Sequence, residues 1–121
     1  MIKRQIEAKI SDAVSKFETE VYGKGPKSIR TIISQDLIII RTGNIISLAQ
    51  RKIAENIEGI KQIKEFKVTQ FEATKDYLKD LVIKIVNCDV ISSHYETSTK
   101  TGENLIILAM RENIEEKFIV R

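Results

Sequence analysis

The stretch from Ile45 to Val86 holds no proline and keeps one helical period, and it constrains the rest of the chain more than any other feature. Ile53, Ile57, Ile60, Ile63, Val68, Phe71, Leu78, Leu81, Val82 and Ile85 recur at the three-and-four spacing of an amphipathic helix. An unbroken helix over this stretch would run ~60 Å, whereas a domain of this size has a radius of gyration of ~14 Å. The segment therefore breaks or projects. Asn56 is a good N-cap, and Gly59 weakens helix continuity by ~1 kcal/mol. The pattern predicts a short helix near 46–55 and a long one from about 57 to 86.

The flanking segments have other periods. Ile2, Ile6, Ile10, Ala13, Val14, Phe17 and Val21 form one face of a first helix that runs to about Tyr22, with Gly23 as its stop. "SIRTIISQ" alternates and "DLIIIRT" is a β-branched run, so 28–42 reads as an antiparallel hairpin turning at Gln35-Asp36. "DVISSHYETSTK" and "ENLIILAMRE" read as a second hairpin, with Lys100-Thr101-Gly102-Glu103 as its turn. "NIEEKFIVR" is a charged tail with an apolar end, read as a last helical turn or an extended arm. The expected fold is a single α+β domain over 1–121. It has two layers, α-ββ-α(α)-ββ order and a largely antiparallel four-stranded sheet.

Charge and cysteine usage exclude several function classes. Twenty basic residues against 17 acidic give +3, far from the one-sided charge of a dedicated nucleic-acid binder. Aromatics are few and not interleaved with basic residues, so a base-stacking platform is unsupported. The one cysteine, Cys88, permits no intramolecular disulfide and reads as a small buried thiol; with a single histidine, no zinc site and no cofactor are expected. No apolar run reaches signal-peptide or membrane-span length, which points to the cytoplasm and leaves any membrane link to a partner.

Two segments carry candidate chemistry. "YGKGPKS" holds Lys24, Gly25 and Lys27 at a helix-to-strand joint; it lacks Walker A spacing, and it follows a helix C-terminus, which repels anions. Its glycines serve backbone geometry first. "SSHYETSTK" holds Ser92, Ser93, His94, Ser98, Thr99 and Lys100. Neighbours in a strand point to opposite faces, so Ser93 and His94 cannot work as an adjacent nucleophile–base pair. The structural alternative is a polar β-strand with a half-exposed histidine. The sharper expectation is that the lysine loop and the Ser-Ser-His strand form one anion- or partner-binding surface.

"VYGKGPKSIRTIISQDLIIIRTGN" and "VISSHYETSTKTGENLIILAM" together resemble the MpsC-like family, catalogued as a domain of unknown function. The resemblance covers residues 3–112. The family's motif blocks fall on 23–28, then on Ser92, Ser93, His94 and 98–103. The chain departs from the family pattern at Tyr95-Glu96-Thr97, and has Ile46-Ser47-Leu48 where a Leu-Thr-Pro is expected. The resemblance implies a link to a cation-dependent membrane-potential-generating system and to bicarbonate transport, but no catalytic mechanism.

Three functions are weighed. The first is a bacterial, non-enzymatic accessory or binding protein that takes a protein partner at the membrane or a small anion. The second is a small enzyme with His94 as acid/base and Lys24, Lys27 or Lys100 on an anionic substrate; the third is weak nucleic-acid binding. A homodimer is expected, because "LIII" and "LIILAM" are apolar at consecutive positions and too few helices exist to cover both sheet faces. Phe66 and Tyr77, off the helical stripe, point the same way.

Overall fold

The computed structural model describes residues 1–44 and 46–118. Helix α1 (Lys3–Tyr22) leads into strands β1 (Ser28–Ser34) and β2 (Leu37–Gly43). Helices α2 (Leu48–Ile53) and α3 (Ile57–Val86) follow, then β3 (Val90–Thr97), β4 (Glu103–Met110) and a 3₁₀ turn at Ile114–Lys117. The four strands form one sheet in the order β1-β2-β4-β3, with every neighbouring pair antiparallel. The expected α+β architecture and its element order hold. The final valine and arginine of the tail, with Ile119, lie outside the described residues.

Helices α1 and α3 lie on one sheet face, and the core fills the space between the layers. From the helices come Ile6, Ile10, Val14, Phe17, Phe71, Leu78 and Val82; from the sheet come Ile33, Ile38, Ile40, Ile106, Leu108 and Met110. Strict alternation along β2 and β4 sends every second residue into this core. Edge strand β1 is fastened to α1: the Ile33 amide donates to Glu7 Oε2 at 2.8 Å, and the Ser11 and Thr31 hydroxyls meet at 2.8 Å. Cys88 is buried, as a structural thiol should be.

The central stretch breaks where expected, at the Asn56 cap. Ser47 and Gln50 form a capping box on α2, and Asn56 caps α3 by accepting from the Gly59 amide at 2.7 Å. Gly59 has a further role: it is buried, and its missing side chain lets α2 pack against α3. With 30 residues, α3 is ~45 Å long, whereas an eight-residue strand spans ~26 Å. Its N-terminal half therefore overhangs the sheet, with α2 folded back on it.

Two sequence expectations need correcting, and a bulge interrupts the alternation of β3. Val21, placed on the buried stripe of α1, is exposed; Glu18, four residues after Val14, is buried instead. Ile53, Ile57 and Val68 are exposed, because the overhang has no sheet beneath it. A β-bulge between Val90 and Ser92 turns Ile91 outward to 62% exposure, while Tyr95 faces the helices as the alternation predicts.

Candidate functional site

Three turns meet at one end of the sheet. Gly23 takes a left-handed conformation (φ 80°) that ends α1 and sends the chain back along its last turn. Gly25 lies so close to that turn that a Cβ would stand 2.5 Å from Thr19 Oγ1. The Lys27 amide then donates to Gly43 O at 2.7 Å, and the Asn44 amide donates to Gly102 O at 3.2 Å. In the β3–β4 turn, the Gly102 amide donates to Ser98 O at 2.9 Å, and the Thr101 amide donates to the Ser98 hydroxyl at 3.3 Å. The lysine loop, the end of β2 and the 98–102 turn are thus one hydrogen-bonded cluster.

The α2–α3 overhang stands above this cluster, and an open cleft of about 570 Å³ lies between them. That volume lies in the range of small-molecule sites. Lys24, Lys67 and Asn44 supply polar groups to its wall, and Ile46, Ile63 and Phe66 supply apolar ones. Ser98 and Thr99 line an adjoining crevice with Ile46, Ile63 and Lys67. Asn44 Oδ1 is buried and has no hydrogen-bond partner among the described residues.

Behind this cavity lies a smaller one of about 60 Å³, lined by Glu18, Tyr22, Asn44, Lys67, Tyr95 and Asn104 among others. Its floor is a polar seam on the helix-facing side of the sheet. Asn104 Oδ1 accepts from Thr97 Oγ1 at 2.7 Å and from Tyr95 Oη at 3.1 Å, while Asn104 Nδ2 donates to Thr42 Oγ1 at 3.3 Å. Burial raises the Glu18 carboxyl from 4.5 to about 7, with the Lys67 charge pulling it partly back. Burial also lowers the Lys67 ammonium, against the pull of Glu18. The Tyr95 phenol is pushed up to about 12, mainly by burial. The inner cavity thus couples an acid poised near neutrality to a desolvated lysine.

The structure unites only part of the predicted surface. Lys24, Ser98 and Thr99 come to the cavities, with Gly25 shaping the loop below. Lys27 and Lys100 are exposed at the same sheet end. Ser92 and His94 lie on the opposite, helix-free sheet face, and Ser93 points toward the helices. His94 is exposed, and among the described residues its one side-chain hydrogen-bond partner is Ser92 Oγ at 3.4 Å. Among the described residues no carboxylate hydrogen-bonds the ring. Among the described residues no cluster of three or more His, Cys, Asp or Glu suits a metal ion.

Sequence reasoning missed Glu18, Tyr22, Asn44, Lys67 and Asn104. Glu18 left a signal, since an acid at i+4 from Val14 on an apolar stripe is out of place unless it faces a polar cavity. Lys67 sits in a helix rich in lysines and left none.

The similarity to known proteins extends over most of the chain. A family model described as "Na+-translocating membrane potential-generating system (MpsC)" matches residues 2–112. The uncharacterized protein YbcI of Bacillus subtilis (strain 168) is 30% identical over 114 residues, covering 94% of this chain and 92% of its own length. No solved structure matches.

Proposed function

Because the chain belongs to the family described as the Na+-translocating membrane potential-generating system (MpsC), we propose that it is a non-enzymatic accessory protein of a membrane ion-transport system. In this reading it binds a small anion in the cavity beneath the α2–α3 overhang. The observation that carries the proposal is the placement of Lys24 and Lys67 on one apolar-walled cavity built from both motif segments. A partly desolvated ammonium is costly unless an opposite charge offsets it, and the lowered pKa of Lys67 records that cost. A carboxylate or bicarbonate against Lys24 and Lys67 adds to the partial offset that Glu18 already gives Lys67.

No helix among the described residues is long and apolar enough to cross a membrane. In this reading the link to the transport system runs through a protein partner. Exposed Leu48, Ile57 and Phe66 on the overhang give such a partner an apolar hold close to the cavity.

The test is calorimetric titration of the purified protein with bicarbonate and with straight-chain carboxylates of increasing length. Lys24→Ala and Lys67→Met are measured beside the unaltered chain. The proposal expects saturable binding that each variant weakens about tenfold or more, since a charge-assisted bond is worth ~1.5–3 kcal/mol. Absence of binding at millimolar anion, or binding that neither substitution alters, would reject it.

A further inference from the structure

The helix-free face of the sheet has a pattern that specifies its own cover. Strand register lays its side chains out in four rows. Ile32, Ile39, Ile107 and His94 form one row; Arg30, Arg41, Leu105 and Glu96 form the next. Beyond the isoleucine row lie Ser34, Leu37, Ala109 and Ser92, and beyond the arginine row lies Glu103. The middle of this face is aliphatic, and Ile32 is 37% exposed. The two arginines both lie on the β1–β2 half and the two glutamates on the β3–β4 half. A contiguous apolar patch rimmed by opposed charges is the composition of an interface.

We propose that a second copy of this chain covers this face, related by a two-fold axis parallel to the strands. Such an axis keeps each row at its own level and exchanges left for right. Ile39 then meets Ile107 of the second copy, Leu37 meets its Ala109, and Ile32 meets its His94. In the charged row, Arg30 meets Glu96 of the second copy and Arg41 meets its Leu105, with Glu103 one row away. A two-fold axis across the strands that keeps this row at its own level would stack arginine on arginine and glutamate on glutamate. Charge therefore favours the first arrangement over that one. Sheets packed face to face lie ~10 Å apart and turn by ~30°, an offset that the long arginine and glutamate side chains can span.

The extent of the face sets the expected strength. Four strands at ~4.8 Å spacing and seven residues at ~3.3 Å give a flat footprint of roughly 440 Å², before side-chain relief is counted. Standard interfaces bury ~800 Å² per partner, so this dimer belongs at the weaker, micromolar end. Within one copy Arg41 already pairs with Glu103, Nη2 to Oε1 at 3.0 Å, and Glu96 reaches Lys64 at 3.7 Å. Arg30 makes no ion pair with a described residue, and it is the charge that a second copy would satisfy.

Sedimentation equilibrium from about 1 to 200 µM tests this, with circular dichroism confirming that each variant folds. Ile39→Glu places a charge on a half-exposed position and should leave only monomer. Arg30→Glu and Glu96→Arg should each weaken association about tenfold or more, and the double variant Arg30→Glu/Glu96→Arg should recover most of it. A monomer throughout the range for the unaltered chain would overturn the proposal. So would a dimer indifferent to Ile39→Glu, which would place the contact elsewhere. Failure of the double variant to recover would overturn the strand-parallel axis.

Discussion

Gly59 lies so near Ile53 that a Cβ on it would stand 1.6 Å from the Ile53 carbonyl oxygen and 3.1 Å from its Cγ2. The obstacle is backbone, so no rotamer change relieves it. Gly59→Ala, ordinarily favourable inside a helix by ~1 kcal/mol, should here detach α2 from α3. The sheet and the Phe71–Val86 half of α3 do not depend on that contact. Hydrogen exchange should show protection lost in 48–60 while the strands keep theirs. Uniform loss across the chain would mean that the overhang and the sheet open as one unit.

Glu18 makes stability depend on pH in an unusual direction. Its folded pKa is raised from 4.5 to about 7, so the fold prefers the neutral acid. That preference is fully present below pH ~4.5 and is lost as pH rises through about 7, a change of ~3 kcal/mol at most. Glu103 and Glu115, whose pKa values are lowered by Arg41 and Lys3 respectively, act in the opposite sense. Their contributions cancel when two chains differing only at Glu18 are compared. Relative to the unaltered protein, Glu18→Gln should gain stability steadily between pH ~5 and ~8. Urea midpoints across that range measure the difference, and a flat difference would contradict the burial of an ionisable acid.

The first hairpin turn carries strain that can be relieved. Gln35 has φ 57°, a conformation that a side chain adopts at a cost, while Asp36 does not share it. The contacts that Gln35 makes with Glu115 use its backbone N–H and C=O, so they survive substitution. Gln35→Gly should raise stability by ~0.5–1 kcal/mol, net of the entropy glycine adds to the unfolded chain. Guanidinium midpoints at constant slope are the measurement.

Gly102 and His94 should respond in opposite ways. Gly102 has φ 76°, and a Cβ there would lie 2.6 Å from Asn44 O and 3.0 Å from Ile46 Cγ1. Gly102→Val should cost more than ~2 kcal/mol, combining strain with a backbone clash. His94→Ala should change stability by less than ~1 kcal/mol, since the ring is exposed and holds one long hydrogen bond. Thermal unfolding of both variants in one buffer gives the comparison. A silent Gly102→Val would dissolve the turn cluster on which the candidate site rests.

Most of the fold was legible because its signals are local. Gly23, Asn56 and the two periodicities mark element ends within a few residues of chain, and the helix breaks at Asn56 as its capping chemistry requires. What escaped was set by tertiary placement. Ile57 has a core pattern but no sheet beneath it, and Ile91 was turned out by a bulge that alternation cannot announce. The candidate site divided along the same line. Lys24, Ser98 and Thr99 were visible as motif residues, whereas Lys67 and Asn44 gain meaning only when the overhang closes above them. His94, the most conspicuous residue of the sequence, stands on the other side of the sheet.

The strand order carries a consequence for how the chain reaches this state. β1–β2 and β3–β4 are hairpins that close over short turns, but β2 pairs with β4 across roughly sixty to seventy residues of intervening chain. Loop closure makes that seam the entropically expensive event, and local hairpins can form and dissolve many times before it succeeds. The folding rate should therefore be governed by the seam from Leu37↔Ala109 to Gly43↔Glu103. Side chains such as Ile40 and Ile106, paired there, would set how quickly a nascent chain hides its isoleucine-rich strands from its neighbours.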